Sequence, residues 1–197
     1  QWFNPANWSP PRVPLPTDTV IIPTGTPFVA PIISGGNATV AELRLDGRLN
    51  IGVGGTLIVG RDVVINGILS AGPGTIVCGR NWIRGETSQF LEGSSIVRFT
   101  GRGIFRRNFY NVIVDSGSVM KSNGNIVVSN RFEARGLDTL RNIDTLIIQR
   151  ADSTGLIGKG KIVGGTIRRN IQSGVPVRYR FESDSTYIQF KPGSLYP

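Results

Sequence analysis

Asp46-Gly47-Arg48-Leu49-Asn50-Ile51, Gly54-Gly55-Thr56-Leu57-Ile58-Val59 and Asn66-Gly67-Ile68-Leu69-Ser70-Ala71 repeat one phrase, a glycine turn followed by a short aliphatic strand. Glycine accepts the positive φ of a tight corner, and the alternation behind it makes one side of an extended strand apolar. A turn roughly every ten residues with aliphatic side chains behind it suits a solenoid, whose successive coils stack their strands in parallel around a common core. A β-sandwich also has short strands at this spacing and is the alternative architecture. The solenoid is preferred because the unit is turn plus strand rather than hairpin. The main type I′ signals, Asp46-Gly47 and Asn66-Gly67, serve equally as solenoid corners.

The same texture extends in both directions. Val40 to Leu45, Val63 to Ile65 and Thr75 to Cys78 are short β-branched or leucine-rich runs bounded by Gly, Asn, Asp or Ser. Ser95-Ile96-Val97-Arg98-Phe99 and Val177-Arg178-Tyr179-Arg180-Phe181 alternate strictly, which predicts apolar groups on one sheet face and arginines on the other. No stretch keeps its apolar residues at the helical period beyond about two turns, so the fold class is all-β. The common interior is predicted to hold Leu45, Leu49, Ile51, Leu57, Val59, Val64, Ile76, Ile96, Val97 or Phe99, Val112, Val114, Ile126, Val128, Leu146 and Ile148. Residues 1–36 differ: they carry eight of the 12 prolines (Pro5, Pro10, Pro11, Pro14, Pro16, Pro23, Pro27 and Pro31), which forbid helix and central-strand pairing. The expected organisation is a proline-rich leader, cap or docking segment over 1–36 and a β-solenoid body over 37–197.

Composition narrows the function. The 197 residues are 39% apolar and 18% charged, enough for a core, and no run approaches the roughly 20 apolar residues of a membrane-spanning helix. The start, Gln1-Trp2-Phe3-Asn4-Pro5, has no signal-peptide pattern, so the expectation is a processed chain. With no histidine and one cysteine, histidine-dependent triads and nearly all zinc sites disappear. Cys78, inside Thr75-Ile76-Val77-Cys78, reads as a buried, inert thiol. The net charge of +9 is carried mostly by arginine, whose planar fork suits phosphate, carboxylate and sulfate. Candidate contacts for an anionic partner, an acidic polysaccharide among them, are Arg102, Arg106 and Arg107, then Arg168 and Arg169; the competing reading is a solvated arginine face. No specific nucleic-acid motif is present.

Certain residues resemble a known family. Asn7-Trp8-Ser9 and Pro16-Thr17-Asp18-Thr19-Val20-Ile21-Ile22-Pro23 are similar to the opening of repetitive surface proteins of the Bacteroidetes and relatives. Asn81-Trp82, the run from Phe90 to Gly101, Phe109-Tyr110-Asn111-Val112-Ile113-Val114, Asn125-Ile126-Val127-Val128, Leu137-Asp138 and Asp144-Thr145-Leu146-Ile147-Ile148 follow in the same order. The resemblance covers nearly the whole chain. It implies secretion, often by the type IX system, a parallel β-helix-like body, and a role in large adhesin-like or filamentous surface structures. The C-terminal sorting domain usual in exported members is not visible, which implies cleavage, a segment of a longer protein, or another export route.

The acids do not cluster into chemistry. Glu42 with Asp46, Glu86 with Glu92, and Glu182 with Asp184 are the nearest sets, and no calcium loop or phosphate loop is present. No catalytic residue, metal ligand or cofactor is assigned. Gly101-Arg102-Gly103 and Gly158-Lys159-Gly160-Lys161 read as coil corners, and Phe109 as core rather than a base-stacking group. Trp2 and Trp8 read as pins that cap the solenoid end; with Val20, Ile21, Ile22 and Phe28 they form the candidate cap or docking set. The functional expectation is a non-enzymatic, secreted structural or adhesive protein of the cell surface. It would self-associate into a fibre or larger assembly through the solenoid ends and the N-terminal segment. The alternative is a carbohydrate-binding module or polysaccharide-active β-helix.

Overall fold

The computed structural model describes residues 1–25, 30–172, 177–183 and 185–189. In chain order the strands are β1 (Thr19–Ile22), β2 (Ile32–Ile33), β3 (Asn37–Val40), β4 (Glu42–Leu45), β5 (Arg48–Ile51), β6 (Thr56–Val59), β7 (Val63–Ile65), β8 (Ile68–Ser70), β9 (Thr75–Cys78), β10 (Trp82–Arg84), β11 (Gln89–Leu91) and β12 (Ile96–Phe99). The long β13 (Arg102–Val114) and β14 (Val119–Ala134) follow, then β15 (Leu137–Thr139), β16 (Thr145–Ile148), β17 (Leu156–Ile157), β18 (Lys161–Val163), β19 (Thr166–Arg169), β20 (Arg178–Arg180) and β21 (Tyr187–Gln189). Among the described residues helix is confined to two 3₁₀ turns, Pro5–Asn7 and Ser153–Gly155, and every ladder but the β20–β21 hairpin is parallel. About seven coils stack into a β-solenoid.

Each coil supplies one strand to each of three faces. The first face runs β1-β4-β7-β10, the second β2-β5-β8-β11 and the third β3-β6-β9-β12. Further on, 102–105, 107–109 and 111–114 of β13 take the same three positions, and they pair in turn with 119–122, 126–128 and 131–134 of β14. Asn37, Thr56 and Thr75 lie in register, so a coil takes 19 residues here. The ten-residue phrase of the sequence is therefore not the repeat. Asp46-Gly47 and Asn66-Gly67 stack at one corner, where Asn66 Nδ2 donates to Asp46 Oδ1 (2.7 Å), and Gly54-Gly55 turns a different corner.

Alternation within each short strand sends every second side chain inward, and these form one continuous aliphatic and aromatic core from Trp2 to Ile162. The predicted interior residues are buried with two corrections. Val63 and Ile65 point inward and Val64 outward; Val97 and Phe99 point inward and Ile96 outward. A one-residue slip moves a strand's whole apolar set to the other face, and the neighbouring coils fix which set is in. Phe109 belongs to the core, within 5.6–6.2 Å of the rings of Trp82, Phe90, Phe99 and Phe105. Thr19–Ile22 and Ile32–Ile33 of the proline-rich segment form the outermost rung, pairing with β4 and β5. They sit at sheet edges, where missing proline donors do least harm.

Candidate functional sites

At the N-terminal end, Trp2 is fully buried, its backbone N–H donating to the Ile32 carbonyl (3.0 Å), and Trp8 packs edge-on against it at 4.8 Å while the Trp8 Nε1 donates to the Trp2 carbonyl (2.7 Å). The two tryptophans pin the leader over the end of the second face. The first face is left otherwise. β1 is the terminal strand of its sheet, with Val20 and Ile22 turned into the core and Ile21 57% exposed. A groove of about 550 Å³ runs between this strand and the leader, walled by Trp8, Pro10, Pro14, Pro23 and Pro31. Arg12 braces the leader by a bidentate pair with Asp18 (2.6 and 2.9 Å), and Asp18 also accepts the Leu15 N–H. With Arg12 as the main cause, the Asp18 carboxyl is pulled down to about 2. Phe28, the remaining member of the docking set, lies outside the described residues.

The arginines picked out for an anionic partner divide into different environments. Arg102 is exposed on the outer side of the first face. Arg106 and Arg107 stand at the corner after it, where the coil from Ile96 to Asn111 shrinks to 15 residues. No ladder joins β10 or β11 to 102–109, and side chains bridge the gap instead: Ile104 N donates to Asn81 Oδ1 (3.1 Å), Arg106 to the Arg84 carbonyl and Arg107 to the Glu86 carbonyl (3.5 Å). Arg107 takes a left-handed φ of 74° to make this turn. Arg84 beneath them is enclosed, and burial with Arg107 nearby lowers its guanidinium to about 10.

Arg168 is exposed, but Arg169 is buried at the C-terminal end. It stacks on Tyr179 (5.1 Å) and donates to the carbonyls of Arg180 (2.6 Å) and Asp152 (3.1 Å). The strict alternation read over Val177 to Phe181 does not hold. Tyr179 and Arg180 are both buried, because Arg180 donates to the Ile157 and Gly160 carbonyls that end the stack and so caps it. Sequence shows the charge of an arginine, not whether its five donors are spent on backbone carbonyls.

The carboxylates are spread along the coils, and most of them are held by arginines. Glu42 meets Arg61 (3.2 Å) and Arg80 (3.8 Å), Asp62 is forked by Arg80, and Asp115 meets Arg98 and Arg135. Asp144, paired with Arg141 and accepting from Ser122, is lowered to about 2, with Arg141 as the largest cause. Among the described residues no group of three His, Cys, Asp or Glu side chains converges to hold a metal ion. Cys78 is buried, and desolvation pushes its thiol up to about 12.

Asp138 is enclosed in the core. It faces inward, stacked between Met120 and Ile162, 1% exposed, with neither carboxyl oxygen in a hydrogen bond. Burial raises its carboxyl well above the ordinary range, and Arg180 only partly opposes this. The folded chain therefore favours the acid form. The stabilisation this gives is fully present below the unfolded pKa and is lost as pH rises towards the folded one. Asp138→Asn cannot ionise, so its stability relative to wild type is expected to rise from pH 4 to pH 8 by up to about 1.4 kcal/mol per pH unit. Thermal unfolding of both proteins across that range checks this; a difference independent of pH would show that Asp138 is ionised in the fold.

No family model, curated protein or solved structure matches the chain. Among the described residues no helix is long and apolar enough to cross a membrane.

Proposed function

We propose that the chain is a non-enzymatic structural or adhesive unit of an extracellular surface assembly, joined end to end with further copies of itself. The observation that carries this reading is the outer edge of β1. The leader's tryptophans cover the second face, yet among the described residues no strand pairs with the outer side of β1, which lies beside an apolar groove and an exposed Ile21. An extended edge of this kind recruits another strand, and a second copy supplies one of matching direction and side-chain period. Because the two ends of a solenoid differ, the contact is head to tail and propagates unless rotation closes it. The dispersed, arginine-held carboxylates support action through surface rather than bond-making chemistry.

Ile21→Lys tests the reading. A lysine on an edge strand discourages pairing, and Ile21 already points to solvent, so folding is retained. Wild type is expected to sediment with a mass that rises with concentration, and the variant as one chain with an unchanged circular dichroism spectrum. Equal association of the two proteins, or none by wild type, would overturn the proposal.

A further inference from the structure

The outer side of the first face changes character along the solenoid. Over its first half, Glu42 sits among Arg61 and Arg80, and Asp46 beside Arg44, so charges balance. Over the second half the register gives two outward ranks, Arg102–Val119–Leu137–Lys161 and Ile104–Lys121–Thr139–Val163. These eight positions contain three cations and no acid. Arg102, Lys121 and Lys161 are all exposed, and none takes part in an ion pair among the described residues, whereas Arg98, Arg135, Arg141 and Arg150 on other parts of the same coils are all paired. Asp138 lies under this face but points into the core, away from any ligand on the surface.

We propose that this half-face binds a linear acidic polysaccharide laid along the solenoid axis. Neighbouring strands lie about 4.8 Å apart, so Arg102 and Lys121 are one rung apart and Lys161 two rungs further on. A sugar chain with one carboxylate or sulfate per residue carries its charges at comparable intervals along its axis and can meet both ranks, Arg102 and Lys161 in one and Lys121 two residues across in the other. Leu137, 37% exposed, lies between Arg102 and Lys161 in one rank, and Val163, 41% exposed, stands beside Lys161 at the end of the other; both offer apolar surface for the C–H edges of sugar rings. None of the eight outward side chains is aromatic, so the stacking platform that single-stranded nucleic acid uses is missing. The proposal differs from the end-to-end contact in using outward side chains on the second half of the first face rather than the main-chain edge of β1.

The test titrates the intact chain with polygalacturonate (carboxylate) and dextran sulfate (sulfate). Neutral dextran, a thymidine oligonucleotide and phosphatidylglycerol vesicles serve as comparators. At low salt the protein is expected to bind one or both acidic polysaccharides and not dextran. The triple variant Arg102→Ser, Lys121→Ser, Lys161→Ser is expected to lose at least tenfold in affinity. Arg48→Ser, Arg131→Ser, Arg168→Ser removes the same charge from exposed positions on the other two faces and is expected to change affinity less than threefold. Equal losses in the two triple variants would reduce the effect to net charge. Tighter binding of the oligonucleotide or the vesicles than of either polysaccharide would assign the face to a different partner. Either outcome, or no polysaccharide binding at all, overturns the proposal.

Discussion

Trp82→Ala is expected to lower the stability of the chain by about 3–5 kcal/mol. Trp82 is fully buried on β10, and its ring lies 5.0 Å from Phe90, 5.6 Å from Phe109 and 6.4 Å from Phe99. These four rings come from all three faces and from both sides of the break where β10 and β11 lack ladder partners in the next coil. Along the third face, β9, β12 and β13 stay bonded; elsewhere at this point the stack depends on aromatic packing and on side-chain bridges such as Asn81 to Ile104. Removing the indole leaves a cavity that hydrogen-bonded strands on the other side cannot close by moving together. Urea denaturation measures the loss, and a change below about 1 kcal/mol, little more than one buried methylene, would show that the break is held by something other than this cluster.

The second large effect comes from a corner too tight for any side chain. Between the third and first faces, Ala41, Gly60 and Gly79 occupy corresponding positions in successive coils, and Gly101, one residue past the position opposite Gly79, lies over the Gly79 carbonyl. A Cβ on Gly101 would lie 1.9 Å from the Gly79 carbonyl oxygen, and one on Gly79 would lie 2.0 Å from that of Gly60. The obstructing atoms are backbone fixed by parallel ladders on both sides, so Gly79→Ala and Gly101→Ala are each expected to cost about 3 kcal/mol or to prevent folding. Gly60→Ala is the internal control: its Cβ would meet only Ala41 and Val40 carbonyls at 3.8 Å, an ordinary contact, and its stability is expected to stay within about 0.5 kcal/mol of wild type. Thermal unfolding of the three proteins checks the ordering; equal loss at Gly60 and Gly101 would contradict the stacked-corner geometry.

Much of this architecture was legible from local pattern. The alternation in Thr56-Leu57-Ile58-Val59 and in Thr75-Ile76-Val77-Cys78 placed the right side chains inside, because two flanking turns fix where each short strand begins. It failed at Val64, inside the run Val63-Val64-Ile65, and at Ile96, next to Val97, where adjacent aliphatic residues permit either phase and the adjoining coil decides. The length of a coil was hidden because each coil contains three turns of similar composition, and the phrase repeats more often than the structure does. At the candidate sites the limit was different. Charge marked Arg102, Arg106, Arg107, Arg168 and Arg169 equally, yet Arg106, Arg107 and Arg169 bond to main-chain carbonyls while Arg102 is exposed with no ion pair among the described residues. Lys121 and Lys161 were unremarkable until the register set them beside Arg102. Asp138, between Leu137 and Thr139, gave no sign of being the inward member of its strand; the stacking of Met120 and Ile162 imposes it.

The most direct test of end-to-end assembly is diffraction from aligned preparations of the purified chain at high concentration. Copies joined through β1 continue the strand stack from one chain to the next, so a sharp reflection at about 4.8 Å is expected along the fibre axis. Wild type should give it and Ile21→Lys should not. Dispersed particles of one chain's mass at every concentration, or assemblies whose 4.8 Å reflection lies across the axis, would contradict the account.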